Sequence, residues 1–354
     1  VGETYEHDGE VKACESGFHA CEHPLAVFCY YAPATSRFAE VTLSGELSRG
    51  EDSKIAASRI MIEEELSLPE MIDRAVEYVF ARAKPPQNTA TGPFGVASAE
   101  GNNGTASTTG PFGIASATGE HGAALATGRC GAALATGLYG AASATDEQGA
   151  ASTTGPCGVA SATGEQGAAI ATGYYSAALA TGPGGAALAT GHHGAASATD
   201  TCGTASATGT NSAATASGHG GTASATGYGG LATASGYCGA ASATGNYGAA
   251  TASGYCGAAI ATGRRGEATA LGYCGAAVAT DRKGKSLAMG YCGAAIATGR
   301  NGRASGEIGC ALFLVERAED GKIVNVWAGI VGRDGIKPNT FYTLRDGKPV
   351  EVED

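Results

Sequence analysis

The chain has 354 residues and a formal net charge of −11, and only 16% of its residues are charged. An acidic chain with few cations argues against nucleic-acid binding, and no apolar run approaches the ~20 residues that a membrane-spanning helix needs. Its 58 glycines would indicate disorder if they were aperiodic, so their spacing decides the fold class.

Residues 1–85 contain no repeat and predict a small α+β domain. A second helix is expected to begin at Ser67, because Ser67-Leu-Pro-Glu70 is a capping-box pattern with proline in the first turn. Pro85-Pro86 should end that helix. The other expected elements are a helix over 24–31 and strands over 37–47 and 54–66. The apolar stripe of the second helix has helical spacing and consists of Ile72, Ala75, Val76 and Val79.

The segment 14–24 combines thiol and imidazole side chains, which are the ligands that zinc prefers. Their spacing differs from the common zinc-finger patterns, and local packing of the same side chains is the alternative. The weak candidate ligands are Cys14, His19, Cys21 and His23.

The same segment also resembles a known family. Gly17-Phe-His-Ala-Cys21, followed by Pro24-Leu-Ala-Val and Tyr30-Tyr31, is similar to an uncharacterised domain that is common in phages and gut Firmicutes. The resemblance covers about residues 3–85. It implies a phage or mobile-element context, often with Ala/Gly/Thr repeats downstream, and it implies no mechanism.

Residues 86–301 are one nine-residue unit repeated 24 times, and Gly131 to Tyr139 is a typical copy. Positions three and five are alanine in 22 copies each, position six is threonine or serine in 21, and position seven is always glycine or aspartate. Such periodicity indicates a repeat architecture. Glycine replaced only by aspartate predicts a left-handed backbone at position seven.

A strand over positions two to six places positions three and five on one face and the rest on the other. The first face accepts little but alanine, whereas the second carries Glu267 and Lys285. We therefore expect the alanines inside, between two sheets at roughly half the usual ~10 Å separation. Larger side chains would force the sheets apart.

A second period sets the coil length, because Tyr-Cys turns recur every 18 residues and basic turns lie between them. The fold class is therefore mainly β: a two-sheet β-solenoid over 86–306, with 18 residues per coil and twelve coils spanning about 58 Å. One edge carries Tyr237, Cys238, Tyr255, Cys256, Tyr273, Cys274, Tyr291 and Cys292. The opposite edge carries Arg264, Arg265, Arg282, Lys283 and Arg300.

Residues 307–354 predict a polar β cap, with hairpin turns at Asp320-Gly321 and Asp346-Gly347. This cap and residues 1–85 at the other end should block the open sheet edges, which otherwise recruit further chains. The expected strands of the cap cover 310–315, 322–331 and 340–344.

The eleven cysteines fit a reducing compartment. Cys238–Cys256 and Cys274–Cys292 bridges are conceivable, because Cα atoms ~4.8 Å apart lie inside the disulfide range, although parallel Cβ vectors oppose them. Like charges stacked on the basic edge repel, so these side chains either spread into water or face an acidic partner.

No catalytic constellation, phosphate-binding loop or calcium-binding turn pattern is present, so we expect no enzyme and no cofactor. Flat apolar surfaces usually mark contact sites, and the leading hypothesis is a structural protein that self-associates into a homo-oligomer or filament. The expected contact residues are the aliphatic side chains at position four: Leu125, Leu134, Ile170, Leu179, Leu188, Ile260, Val278, Leu287 and Ile296.

Three alternatives stay open: a surface that binds ice or a crystalline polymer, a trimeric phage tail-fibre or receptor-binding shaft, and an enzyme or ligand-binding activity in residues 1–85. We expect no membrane partner and a cytoplasmic or virion-associated location. The first residue is Val1, so we expect a start that was processed or is incomplete, and a removed signal stays open.

Overall fold

A computed structural model describes residues 1–50, 54–82 and 88–353 and shows a two-sheet β-solenoid with smaller regions at both chain ends. In the N-terminal region, β4 pairs in antiparallel fashion with β3 on one side and with β1 and β2 on the other. Its elements are β1 (Thr4–Glu6), β2 (Phe18–Cys21), a 3₁₀ helix (Pro24–Cys29), β3 (Phe38–Arg49), β4 (Lys54–Leu66) and α1 (Leu68–Arg82).

The predicted start of α1 is confirmed, because the Glu70 carboxylate accepts a hydrogen bond from the backbone N–H of Ser67 at 2.8 Å. The Ser67 hydroxyl donates to the same carboxylate at 2.6 Å, and both bonds lower the pKa of Glu70. The first predicted helix is a 3₁₀ helix. The predicted stop at Pro85-Pro86 lies outside the described residues.

The solenoid consists of 26 short strands in chain order, most of them over positions two to six of one unit. They are β5 (Asn88–Thr91), β6 (Val96–Glu100), β7 (Thr105–Thr109), β8 (Ile114–Thr118), β9 (Ala123–Thr127), β10 (Ala132–Thr136), β11 (Ala141–Thr145), β12 (Ala150–Thr154), β13 (Val159–Thr163), β14 (Ala168–Thr172), β15 (Ala177–Thr181), β16 (Ala186–Thr190), β17 (Ala195–Thr199), β18 (Thr204–Thr208), β19 (Ala213–Ser217), β20 (Thr222–Thr226), β21 (Leu231–Ala234), β22 (Ala240–Thr244), β23 (Ala249–Ala252), β24 (Ala258–Ala261), β25 (Glu267–Ala270), β26 (Ala276–Ala279), β27 (Lys285–Ala288), β28 (Ala294–Ala297), β29 (Arg303–Gly306) and β30 (Ala311–Arg317). Three further strands follow: β31 (Ile323–Ile330), β32 (Phe341–Arg345) and β33 (Lys348–Val352).

The odd-numbered solenoid strands, with β32 and β33, form sheet A, and the even-numbered ones, with β31, form sheet B. Neighbouring strands within the repeats pair in parallel at an offset of 18 residues; for example, Ala133 lies beside Ala151. The coil length of 18 residues is therefore confirmed. The 26 strands make 13 coils, one more than predicted, because β30 extends sheet B instead of belonging to a separate cap.

The alanines of positions three and five form the interior, as predicted. They constitute one continuous buried cluster that runs from Ala97 to Ala277, and nearly all of them are completely buried. Methyl-sized side chains on both sheets let the walls lie close together, so each coil gains its stability from close packing and from hydrogen bonds to its neighbours.

The turns differ from the prediction, because the residues with typical left-handed dihedrals are at position nine. Non-glycine residues there have φ between 53° and 62° in almost every turn, for example Cys238 and Tyr247. Most position-seven residues from Gly92 to Gly245 have φ between 89° and 140°. A stronger constraint at position seven is contact, since a Cβ on Gly173 would overlap the carbonyl oxygen of Gly155 in the preceding coil.

The expected capping of the first coil by residues 1–85 is wrong, because this region lies on the flank of the solenoid. Helix α1 packs across β11, β13, β15 and β17 on the outer face of sheet A. In the described residues, no strand pairs with the outer side of β5 or β6. The shared apolar core contains Leu25, Phe28, Leu66, Met71, Ile72, Val159, Ala177, Leu179 and Ala195.

Helix α1 fits the outer face of sheet A because the rise of one helical turn nearly matches the spacing between neighbouring strands. One turn of an α-helix rises about 5.4 Å, and neighbouring strands lie about 4.8 Å apart, so each turn of α1 sits over roughly one coil. Ile72 and Val79 are completely or almost completely buried, and the residues beneath them include Ala123 and Ala141. The stripe predicted from helical spacing therefore faces sheet A.

The C-terminal region covers the last coil, as predicted. Leu312, Leu314 and Tyr342 join the last buried alanines of the solenoid in one cluster. The turn at Asp346-Gly347 connects β32 to β33 with positive φ at both residues. The cap is less polar than expected, because Val326 on edge strand β31 is 70% exposed.

Candidate functional site

The outer face of sheet B is a flat surface of small and aliphatic side chains. It is formed by positions two, four and six of the even-numbered strands, and from Ile114 to Thr298 it carries no charged residue. The elements of residues 1–82 that the structure describes pack on sheet A and leave this face open. We call it the sheet B face.

Six of the nine predicted contact residues lie on the sheet B face, and they are half-buried or exposed, with Ile170 and Ile260 each 39% exposed. Leu125, Leu179 and Leu287 lie on sheet A instead. Leu179 is completely buried beneath the N-terminal region, so its prediction as a free contact residue is wrong. The six on the sheet B face are Leu134, Ile170, Leu188, Ile260, Val278 and Ile296.

Position six of the sheet B face is a continuous row of threonines. Eleven successive coils place threonine there, and none of these side chains is buried. The row consists of Thr118, Thr136, Thr154, Thr172, Thr190, Thr208, Thr226, Thr244, Thr262, Thr280 and Thr298. Parallel in-register pairing therefore presents hydroxyl and methyl groups at the strand spacing of about 4.8 Å.

Some of the cationic side chains on the basic edge have partners within the chain. The Arg300 guanidinium forms an ion pair with Glu319 at 2.8 Å, and Arg265 donates a hydrogen bond to the Tyr247 hydroxyl at 3.0 Å. Arg264 and Arg282 are exposed on the same edge. An acidic partner for this edge stays a prediction.

The opposite edge, which we call the Tyr-Cys edge, contains stacked aromatic rings. The centroids of Tyr237, Tyr255, Tyr273 and Tyr291 lie 5.0 to 5.5 Å from one ring to the next. His219 continues the stack at 5.2 Å from Tyr237. The rings cover one another's faces, so they hold the turns in register and expose mainly their edges and hydroxyl groups.

We expect Tyr255→Ser to destabilise this edge more than Tyr291→Ser does. Tyr255 stacks on two rings and Tyr291 on one, and each stacked pair contributes about 0.5 to 1.5 kcal/mol. Hydrogen-exchange mass spectrometry of residues 236–275 measures the effect as faster exchange. Equal exchange in both variants would show that stacking does not hold the turns.

The structure does not assemble the four zinc candidates. Cys14, His19 and Cys21 line a small cavity of about 250 Å³, and His19 Nε2 accepts a hydrogen bond from the Cys14 backbone N–H at 3.0 Å. His23 is turned away, and its Nδ1 accepts from the Leu25 N–H. The residues that the structure describes contain no group of three or more His, Cys, Asp or Glu side chains suited to a metal ion.

An aromatic and thiol contact between the N-terminal region and the solenoid was not predicted. The His23 ring lies 4.6 Å from the Tyr139 ring, and the His193 imidazole is 3.1 Å from the Phe28 carbonyl oxygen.

The same contact changes the pKa values of two side chains. Burial, and to a smaller extent the neighbouring thiols, raise the pKa of Tyr139 to about 12. A hydrogen bond with Cys29 raises the pKa of the Cys157 thiol. Tyr139, Cys157 and His193 all occupy position nine of turns that connect sheet B to sheet A. This shared position in the repeat is the sequence signal that places the three side chains on the same edge of the solenoid.

No disulfide joins any of the eleven cysteines, all of which lie in the described residues. The conceivable Cys238–Cys256 and Cys274–Cys292 bridges are therefore absent. Among the helices described, none is both long and apolar enough to cross a membrane.

Residues 1–74 match the family model described as a Domain of unknown function (DUF7666). The match overlaps most of the range, about residues 3–85, for which a resemblance was expected, and its description assigns no activity. No curated protein and no solved structure matches the chain. The phage context implied by the resemblance therefore stays a prediction, and the geometry of the solenoid surfaces carries the functional argument.

Proposed function

We propose that the chain is a structural repeat protein whose sheet B face binds a second copy of itself. The observation that carries this proposal is the asymmetry between the two outer faces. Sheet A is covered by the N-terminal region along β11 to β17, whereas the sheet B face is uncharged and open in the described residues. Open apolar faces of this size on proteins usually mark interfaces.

The area of the face is sufficient for a stable pair. The eleven even-numbered strands from β8 to β28, which carry no charged residue on this face, give an area of roughly 850 Å² at a spacing of ~4.8 Å and a strand length of ~16 Å. Specific interfaces bury about 800 Å² on each partner. A face that is flat and uncharged along its length is complementary to itself, so an isologous pair satisfies both copies at once.

Sheet A shows that this kind of surface packs well when it is covered. The pentapeptide Ala-Ala-Leu-Ala-Thr occurs in β15 and in β16, and in β15 its leucine is completely buried beneath the N-terminal region. The identical leucine of β16, Leu188, lies on the sheet B face without such a cover in the described chain. A second copy would bury it in the same way.

We expect purified protein to form dimers in sedimentation-velocity experiments and Ile170→Lys to weaken their association at least tenfold. Lysine would bring an unpaired charge into an apolar interface. Thr233→Lys is the matched control, because Thr233 occupies position four of β21 on sheet A. A monomeric wild-type protein at high concentration, or equal loss in both variants, would contradict the proposal.

The threonine row favours a second candidate function, binding of an ordered surface such as ice or a crystalline polymer. Eleven hydroxyl and methyl groups at one regular spacing present a repeating pattern that a lattice can match. Position four interrupts the pattern, since it mixes serine and aliphatic residues without a regular order. A thermal-hysteresis assay distinguishes this function from self-association, because a dimer that covers the sheet B face shows no hysteresis.

A further inference from the structure

Four cysteines form a row on the Tyr-Cys edge that the proposed self-association does not use. Cys238, Cys256, Cys274 and Cys292 occupy position nine of four successive turns of this edge, and all are exposed. The adjacent tyrosines repeat at 5.0 to 5.5 Å, which fixes the spacing of the turns. Cys238, Cys274 and Cys292 have φ of 60° to 62°, so their Cα–Cβ bonds leave the backbone in the same direction.

The sulfur atom of Cys202, on the same edge, points along the solenoid axis. A Cβ placed on Gly220 would lie 3.6 Å from Sγ of Cys202, which is one coil away. Within the row, burial and then the charges of Cys238 and Cys274, together with a hydrogen bond to Cys238, raise the pKa of Cys256. The spacing of the turns, 5.0 to 5.5 Å between adjacent tyrosine rings, thus brings neighbouring thiols of the row within reach of one another.

This spacing suits a bridging metal ion better than a disulfide. A disulfide requires Cβ atoms about 3.8 Å apart, whereas parallel side chains repeat at the coil spacing of about 4.8 Å. A metal–thiolate bond is about 2.3 Å long, so one ion between two sulfurs spans about 4.6 Å. Thiolates select soft ions, Cu(I) above all.

We propose that the cysteine row binds soft monovalent d¹⁰ cations of the Cu(I) class, with one ion bridging each adjacent pair of thiolates. Each thiol releases its proton to solvent when its sulfur binds the ion, and no electron is transferred. An ion bridged by two sulfurs does not require three converging ligands. The proposed site is therefore compatible with the finding that the described residues contain no group of three or more His, Cys, Asp or Glu side chains suited to a metal ion. The four thiols form three adjacent pairs.

Titration of the full, reduced chain with Cu(I) against the chelator bicinchoninate tests the proposal. We expect the row to take up one ion for each of its three pairs, counted as the difference in uptake from a variant in which all four row cysteines are serine, with only sulfur neighbours around copper in X-ray absorption spectra. Cys256→Ser leaves one adjacent pair and should reduce uptake by the row to a third. Cys238→Ser leaves two pairs and should reduce it to two thirds.

Cys202→Ser is the matched control. Cys202 is exposed, occupies position nine of the same edge and has φ of 57°, but its neighbours one coil away are Gly184 and Gly220. Its loss should leave uptake unchanged. Equal loss in Cys202→Ser and Cys256→Ser, or no uptake by the wild-type chain, would overturn the proposal.

Gly220→Cys provides a test by gain of capacity. It joins Cys202 to the row and adds two adjacent pairs, and its Cβ would make only ordinary contact with Cys202 Sγ. Uptake should rise by about two thirds, in proportion to the added pairs. Far-UV circular dichroism of each variant confirms folding, and unchanged uptake in a folded Gly220→Cys variant would contradict the bridging arrangement.

Discussion

Gly254→Ala is expected to open the solenoid locally and to lower the free energy of unfolding by about 4 kcal/mol or more. A Cβ on Gly254 would overlap the carbonyl oxygen of Gly236 in the preceding coil. Because that oxygen belongs to the backbone, the clash is relieved only if the two coils move apart, which lengthens the hydrogen bonds between them. Neighbouring coils stabilise one another, so hydrogen exchange should rise on both sides of residue 254.

Gly184→Ala is the control, because it replaces a turn glycine without creating a clash with the preceding coil. Gly184 occupies position nine, where φ is +69° and a Cβ would lie 3.5 Å from Gln166 Cγ, an ordinary contact. Cysteine, tyrosine and histidine occupy the same position in other turns with similar φ. The cost of a left-handed alanine should be only about 1 kcal/mol. Similar melting temperatures for the two variants would show that coil contact does not select glycine at position seven.

The solenoid could be predicted from the sequence because its geometry repeats. Alternation within the unit places the alanines on one face, and the 18-residue spacing of Tyr237, Tyr255 and Tyr273 fixes the coil. The role of position seven was harder to predict. Glycine there signals either an unusual φ or a close backbone contact, and only the position of the preceding coil shows that contact is the stronger constraint.

The candidate surface could be predicted only in part. Position four of an isolated unit identifies an outward-facing residue, but the unit does not show what covers it. The apolar stripe of the N-terminal helix can be predicted from Ile72 and Val79, whereas its docking place depends on contacts between residues more than 40 positions apart, such as Val79 with Ala123. Local pattern carries no information about such distant pairing. The interdomain contact of His193 with the Phe28 carbonyl was missed for the same reason.

Leu179→Lys is expected to release the N-terminal region from sheet A. Leu179 is completely buried in the core shared with Ile72 and Met71, and an unpaired charge in such a place costs about 3 to 5 kcal/mol. The solenoid itself should stay folded, because the outward position four is not part of the alanine interior. Limited proteolysis should then cleave between the N-terminal region and the repeats, and hydrogen exchange in α1 should increase.

Leu188→Lys makes the same substitution in the same pentapeptide one half-coil later, where the side chain lies on the sheet B face. At that position the lysine side chain can extend into water when the protein is monomeric. Helix α1 should therefore keep its protection from hydrogen exchange, whereas dimerisation should weaken. The two variants thus separate docking within the chain from association between chains. If Leu179→Lys leaves α1 fully protected, the N-terminal region is held by the His23–Tyr139 and Phe28–His193 contacts on the solenoid edge rather than by sheet A.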